Sequence, residues 1–155
     1  MIHIISGPQG AGKSTYARQL TLEKQGVCFS IDDYMIKLYG PEMIQPLDFS
    51  WVMERVARCH NLIWETSVNI VRNSGIAVLD LGLMKNEQRE RFLQLAESAG
   101  VAIQQHFVDA PLEVRKERVM KRNQLRDQNF SFEVTPEMFL FMESQFEYPV
   151  LDNQN

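Results

Sequence analysis

The stretch Gly7-Pro8-Gln9-Gly10-Ala11-Gly12-Lys13-Ser14 constrains this chain more than any other segment. It fits G-x-x-x-x-G-K-[ST] at every fixed position, and that spacing has a physical demand behind it. Glycines let successive backbone N–H groups turn inward around a diphosphate, and a helix starting at Lys13 aims the positive end of its dipole at the same anion. Gly7, Gln9, Gly10, Ala11, Gly12, Lys13, Ser14 and Thr15 are therefore the expected phosphate-binding residues. Lys13 reaches the outer phosphates, and the Ser14 hydroxyl suits a Mg²⁺ ion. The loop must also be delivered by a strand. Residues 2–6, "IHIIS", supply a short β-branched run closed by Gly-Pro.

The rest of the chain repeats that strand–helix alternation. A helix over 13–24 ends at Gly26. "VCFSI" at 27–31 reads as a second strand that carries Asp32 and Asp33 at its carboxyl end. Ser50 is the expected N-cap of a long helix whose apolar positions Val52, Val56, Cys59 and Ile63 recur every three or four residues. "IAVLDLGL" at 76–83 and "VAIQQHFVD" at 101–109 are the third and fourth strands, with a helix over 86–99 between them. Pro111 opens a helix to about Arg126, and Thr135-Pro136-Glu137 opens the last one. Alternating strands and helices predict a single three-layer α/β domain over 1–155, a parallel sheet of four to five strands with helices on both faces. The helix after Pro111 and the polar link behind it, about 111–134, form the expected lid.

Phosphoryl transfer also needs a group that takes a proton from the attacking hydroxyl. Ligands in such sheets gather at the carboxyl ends of strands. Asp32 is the candidate base there, and Asp33 is a cap, a substrate contact or part of the metal's surroundings. Tyr34 joins them on the substrate side. Asp80 closes the third strand, where it would serve the metal or touch substrate and the Ser14 region. Arg115, Arg118, Arg122 and Arg126 are spaced by three, four and four, which on a helix makes one cationic stripe. Arg122 and Arg126 suit charge neutralisation during transfer, and Arg118 suits nucleotide contact. For Arg115 a solvated face balanced by Glu113 and Glu117 is an equal reading. His60, Trp51, Trp64 and the "MFLFM" segment at 138–142 read as packing residues. Arg55, Arg58 and Arg72 could face an acceptor, although no spacing demands it.

Charge narrows the partner. The formal net charge is −4, which argues against a long nucleic-acid backbone while leaving a local basic site open. Cys28 and Cys59 lie far apart without C-x-x-C spacing, and read as buried reduced thiols rather than a zinc site. No leader segment and no membrane-length apolar run are visible, so a cytoplasmic protein is expected.

On "GPQGAGKST", "DDY", "LDLGLMKNEQRERF" and "VDAPLEVRKERVMKRNQLR" the chain resembles a small P-loop kinase. The group includes polynucleotide 5′-kinase domains, chloramphenicol phosphotransferase and zeta-toxin-like kinases. The resemblance spans roughly 1–148 and implies a doubly wound sheet of order 2-3-1-4-5. It also implies ATP and Mg²⁺ as cofactors and transfer of the γ-phosphate to a hydroxyl. It places the general base on Asp32, an acceptor-side arginine on Arg89 and phosphate-binding arginines on Arg122 and Arg126. Met35 stands where the polynucleotide kinases carry an arginine for the acceptor's 3′-phosphate, which favours a small-molecule acceptor over a polynucleotide. An ATP-gated slow ATPase is the remaining alternative. The resemblance further implies a monomer or homodimer. The short ending leaves room for four strands, or for a fifth reduced to a stub at 148–151.

Overall fold

A computed structural model of the protein describes residues 1–44, 46, 48–125 and 133–149. Its elements in order are β1 (Ile2–Ser6), α1 (Lys13–Lys24), β2 (Val27–Ser30), α2 (Ile31–Tyr39), α3 (Phe49–Arg72), β3 (Ala77–Asp80), α4 (Asn86–Ala99), β4 (Ile103–Phe107), α5 (Leu112–Leu125) and α6 (Pro136–Gln145), with a 3-10 turn at Gly40–Glu42. Four parallel strands among the described residues form one sheet in the order β2-β3-β1-β4. This is the P-loop kinase arrangement, without a fifth strand in the described part. Residues 148 and 149 are not in a strand, and 150–151 lie outside the described residues.

Register decides what meets at the top of the sheet. Asp80 pairs with Ile5 on one side and with Ser30 on the other. The ends of β1, β2 and β3 are therefore level, and whatever follows each strand emerges at a common edge.

The period-2 alternation of the strands sorts two cores. Ile2, Ile4, Phe29, Ala77, Leu79 and Leu81 face Ile63, Trp64, Val68, Phe92 and Ala96 of α3 and α4. Ile5 and Val78 face Ala17 and Leu20 of α1. β1 is buried along its whole length, as a central parallel strand covered on both faces must be.

Several local expectations shift. β2 stops at Ser30, whose hydroxyl accepts the Asp33 N–H and caps α2. Asp32 and Asp33 consequently sit in a first helical turn, where their charge complements the dipole, not at a strand end. The long helix starts at Phe49 and is capped by Asp48, not Ser50, through the Trp51 N–H at 3.1 Å. β3 and β4 are shorter than their apolar runs, and Leu81 and Leu83 are buried in the loop after β3 without extending it. Cys28 is exposed on the edge strand β2, and only Cys59 is buried. Trp64 is core, whereas Trp51 is half-buried. Of 138–142 only Phe139 is fully buried; Met138, Leu140 and Phe141 face outward. No described helix is long and apolar enough to cross a membrane.

Candidate active site

The loop between β1 and α1 is shaped by what packs behind it. At Gly7 an added Cβ would lie 2.0 Å from the Val108 carbonyl oxygen, and at Gly10, with φ +78°, 2.5 Å from that of Arg115. Only glycine lets the loop approach the segment after β4 so closely. In such a loop the N–H groups converge and the carbonyls diverge. Here four successive carbonyls each receive a cation. Lys13 Nζ donates to Pro8 at 3.0 Å, Arg115 Nη1 to Gln9 at 3.3 Å, and Arg118 Nη1 to Gly10 and Ala11 at 3.3 and 3.4 Å. Arg118 is thus a brace on the loop backbone. Thr15, one residue past Ser14 on α1, is exposed.

At the sheet edge the Ser14 hydroxyl donates to Asp80 Oδ2 at 2.7 Å. Asp80 is itself buried at 6% exposure. A hydroxyl and a carboxylate in contact are hard oxygen donors of the kind Mg²⁺ takes, with phosphate and water completing its shell. Among the described residues no group of three or more His, Cys, Asp or Glu could hold an ion unaided. The donor set therefore fits an ion that arrives with a phosphate.

Asp32, Asp80, Lys13 and Arg122 share one electrostatic environment. Burial lowers the Lys13 pKa, and Arg122 and Arg115 add to that effect against the opposing pull of Asp80 and Asp32. The Asp32 carboxyl is pushed up from its ordinary value, first by desolvation and then by the Asp80 charge, while Lys13 and Arg122 pull it back. Asp32 is solvent-accessible while recessed against protein, so water moderates the upward push. Two carboxylates beside one lysine at a phosphate loop is the arrangement in which one carboxylate can serve as a base.

The other expected site residues divide. Tyr34 packs its ring 6.3 Å from Phe29 and belongs partly to the core. Arg89 is not at the site: buried, it donates to the carbonyls of Leu83 and Glu147 and to Asn86 Oδ1, tying the tail to the start of α4. Arg115 is neither a phosphate ligand nor a solvated residue. At 2% exposure it makes a two-pronged contact with Glu143 of α6, at 2.7 and 2.8 Å, and also donates to Ala110 and Tyr148. Arg126 lies outside the described residues.

A family model described as an AAA domain matches residues 2–149. The chain belongs to that family. No curated protein matches it in sequence. Among solved structures, a putative kinase from Chloroflexus aurantiacus superposes with a TM-score of 0.74 at 18% identity, covering 96% of this chain and 77% of that one. Kti12 of Chaetomium thermophilum, solved with ADP-AlF3, gives 0.66 at 18%, covering 96% and 81%. A gluconokinase from Sinorhizobium meliloti gives 0.63 at 18%, covering 97% and 77%. At these identities the likeness is one of fold.

Two arrangements around the loop escaped the sequence. One is the Arg115–Glu143 pair, joined across 28 residues. The other is a hydrogen-bonded chain behind α1: Tyr16 Oη to His106 Nδ1 at 2.8 Å, and His106 Nε2 to His3 Nδ1 at 2.9 Å. The spacing of three histidines along the chain carries no trace of it, because His3 and His106 meet only through the β1–β4 register.

Proposed function

We propose that the protein is an ATP-dependent phosphotransferase that moves the γ-phosphate of ATP to a hydroxyl of a small-molecule acceptor. The observation that carries this reading is the convergence of Lys13, Asp32, Asp80 and Arg122 at the mouth of a braced phosphate loop. The inward N–H groups of the loop bind the β- and γ-phosphates, and Lys13 exchanges the Pro8 carbonyl for phosphate oxygens. Ser14 and Asp80 are the residues that would hold Mg²⁺, which supplies neutralisation of phosphate charge. Asp32 accepts the proton of the acceptor hydroxyl as its oxygen bonds to the γ-phosphorus. The bond from that phosphorus to the β–γ bridging oxygen breaks, and ADP carries the electron pair away. Arg122 stabilises the charge that develops on the moving phosphoryl group.

The test is transfer from γ-labelled ATP into a pool of hydroxyl metabolites, antibiotics and 5′-hydroxyl oligonucleotides, comparing wild type with Asp32→Asn. Label in a small molecule, reduced about 100-fold or more in the variant, supports the reading. Label only in free phosphate, equal for both proteins, would make the protein a slow ATPase and remove the role of Asp32. Label in the oligonucleotide would redirect the reading to a polynucleotide 5′-kinase.

A further inference from the structure

α3 is longer than the sheet is tall. His60 Nε2 meets the Leu81 carbonyl at 3.0 Å, just beyond the end of β3, so the turns of α3 before His60 rise above the carboxyl edge of the sheet. They pack beside α2 there, through Ile31, Met35 and Cys59 with Val52 and Val56 around them. The two helices make a wall next to Asp32.

One flank of that wall has a chemical gradient. Asp32 and Tyr39 are seven residues apart, which puts them within about 20° of each other around α2. Ile36 lies between them along the helix and is 39% exposed. Tyr39 meets Trp51 edge-on with ring centroids 6.0 Å apart, and the Arg55 guanidinium lies 3.7 Å from the Trp51 centroid and 5.6 Å from that of Tyr39. The flank therefore begins at a carboxylate and ends at a cation held by two rings.

That cation is fixed in place but not satisfied. Arg55 Nη1 donates to the Trp51 carbonyl at 3.1 Å, and its nearest carboxylate oxygen, on Glu54, is 3.8 Å away. Glu54 directs its other oxygen to Arg58. The Arg55 Nε–H is buried and has no acceptor among the described residues. The side chain keeps 19% exposure, carried by atoms other than the buried Nε. A stacked guanidinium with a donor left over matches an oxyanion that accepts two hydrogen bonds from one edge.

We infer that Arg55 anchors the acceptor, and that the acceptor carries an anionic group, a carboxylate or a phosphate, at the end away from the hydroxyl that receives the phosphoryl group. This rests on the phosphotransferase reading above. Seven helical residues span about 10 Å, which suits an acceptor of roughly five-carbon length that crosses Ile36. A neutral hydroxyl accepts a hydrogen bond without balancing the charge, whereas an oxyanion accepts two and neutralises the guanidinium.

The experiment has two arms. Transfer from Mg-ATP is measured for matched pairs, ribonate against ribitol and ribose 5-phosphate against ribose, with wild type, Arg55→Gln and Arg55→Lys. In parallel, ribonate and ribose 5-phosphate are titrated against Trp51 fluorescence in a Trp64→Phe background, which reads occupancy whether or not transfer occurs. The expected result is phosphorylation of an anionic member in clear preference to its neutral partner. The acceptor KM rises about 10- to 100-fold in Arg55→Gln and partly recovers in Arg55→Lys, while KM for ATP stays within twofold. Whichever member of the two pairs is favoured tells carboxylate from phosphate. Equal use of neutral partners, or an unchanged acceptor KM in Arg55→Gln, overturns the anion subsite and leaves the kinase reading intact. Saturable quenching that Arg55→Gln abolishes, with no label in any acceptor, keeps the subsite and overturns the kinase reading. Neither label nor quenching overturns both.

Discussion

Glu143→Ala should cost more than its half-buried location on α6 suggests, because of what it leaves behind. Arg115 is 2% exposed and directs both terminal nitrogens at the Glu143 carboxylate. Without that carboxylate the guanidinium stays buried, with Asp109 at 3.5 Å as the remaining carboxylate among the described residues, beside the neutral acceptors Ala110, Gln9 and Tyr148. Uncompensated buried partners cost about 3–5 kcal/mol, and the remaining Asp109 places this case near about 3 kcal/mol. Arg115→Met should cost about 2 kcal/mol, since Glu143 is 22% exposed and can turn to water. The double variant Arg115→Met/Glu143→Ala removes both charges and leaves a methionine side chain beside Phe139, so it should cost about 3 kcal/mol rather than the sum. Urea unfolding of the four proteins completes the cycle, and Glu143→Ala should lower Tm by about 6–12 °C. Costs that add to within about 0.5 kcal/mol would refute the claim that the pair acts as one buried unit. Arg115 also holds the Gln9 carbonyl, so its variant should weaken ATP binding as well as stability.

Two further outcomes follow from the loop and its supports. Gly10→Ala places a methyl 2.5 Å from the Arg115 carbonyl at φ +78°; it should raise KM for ATP at least about tenfold and destabilise by about 1–3 kcal/mol, checked by nucleotide titration and calorimetry. The His3–His106 pair should make stability depend on mild acid. Burial depresses both pKa values below 6.5; Lys24 adds to this for both, and His106 and the N-terminal amine add to it for His3. Below about pH 6.5 the unfolded chain therefore binds more protons than the folded one, and stability present above that pH is lost as pH falls toward the folded values. His106→Phe should lessen the slope of the urea midpoint between pH 5 and 7, leaving the contributions of His3 and His60, both depressed by burial. An unchanged slope would remove the pair from the account.

The loop, the strand–helix alternation and the helix over 86–99 could be read directly, because they rest on local chemistry: glycine spacing, hydrophobic period and a glycine stop. The same local chemistry singles out Asp32, Asp80 and Ser14 as candidates, and the structure brings the last two into contact. Local chemistry erred where a neighbour in the chain competes with a neighbour in space. Ser30 turned an apparent strand end into a helix cap, and Leu81 is buried after β3 without extending it. The arginines show the division most sharply. Arg89, Arg115 and Arg118 look alike in sequence, yet one ties the tail, one is a buried partner of Glu143 and one braces the loop. A guanidinium takes its role from whichever carboxylate or carbonyl reaches it, and those partners lie 58, 28 and 108 residues away. Sequence thus determined the phosphate cradle by itself. Only tertiary structure decided which cations brace that loop and which pair elsewhere, since charge pairing across a fold depends on register and packing rather than on spacing along the chain.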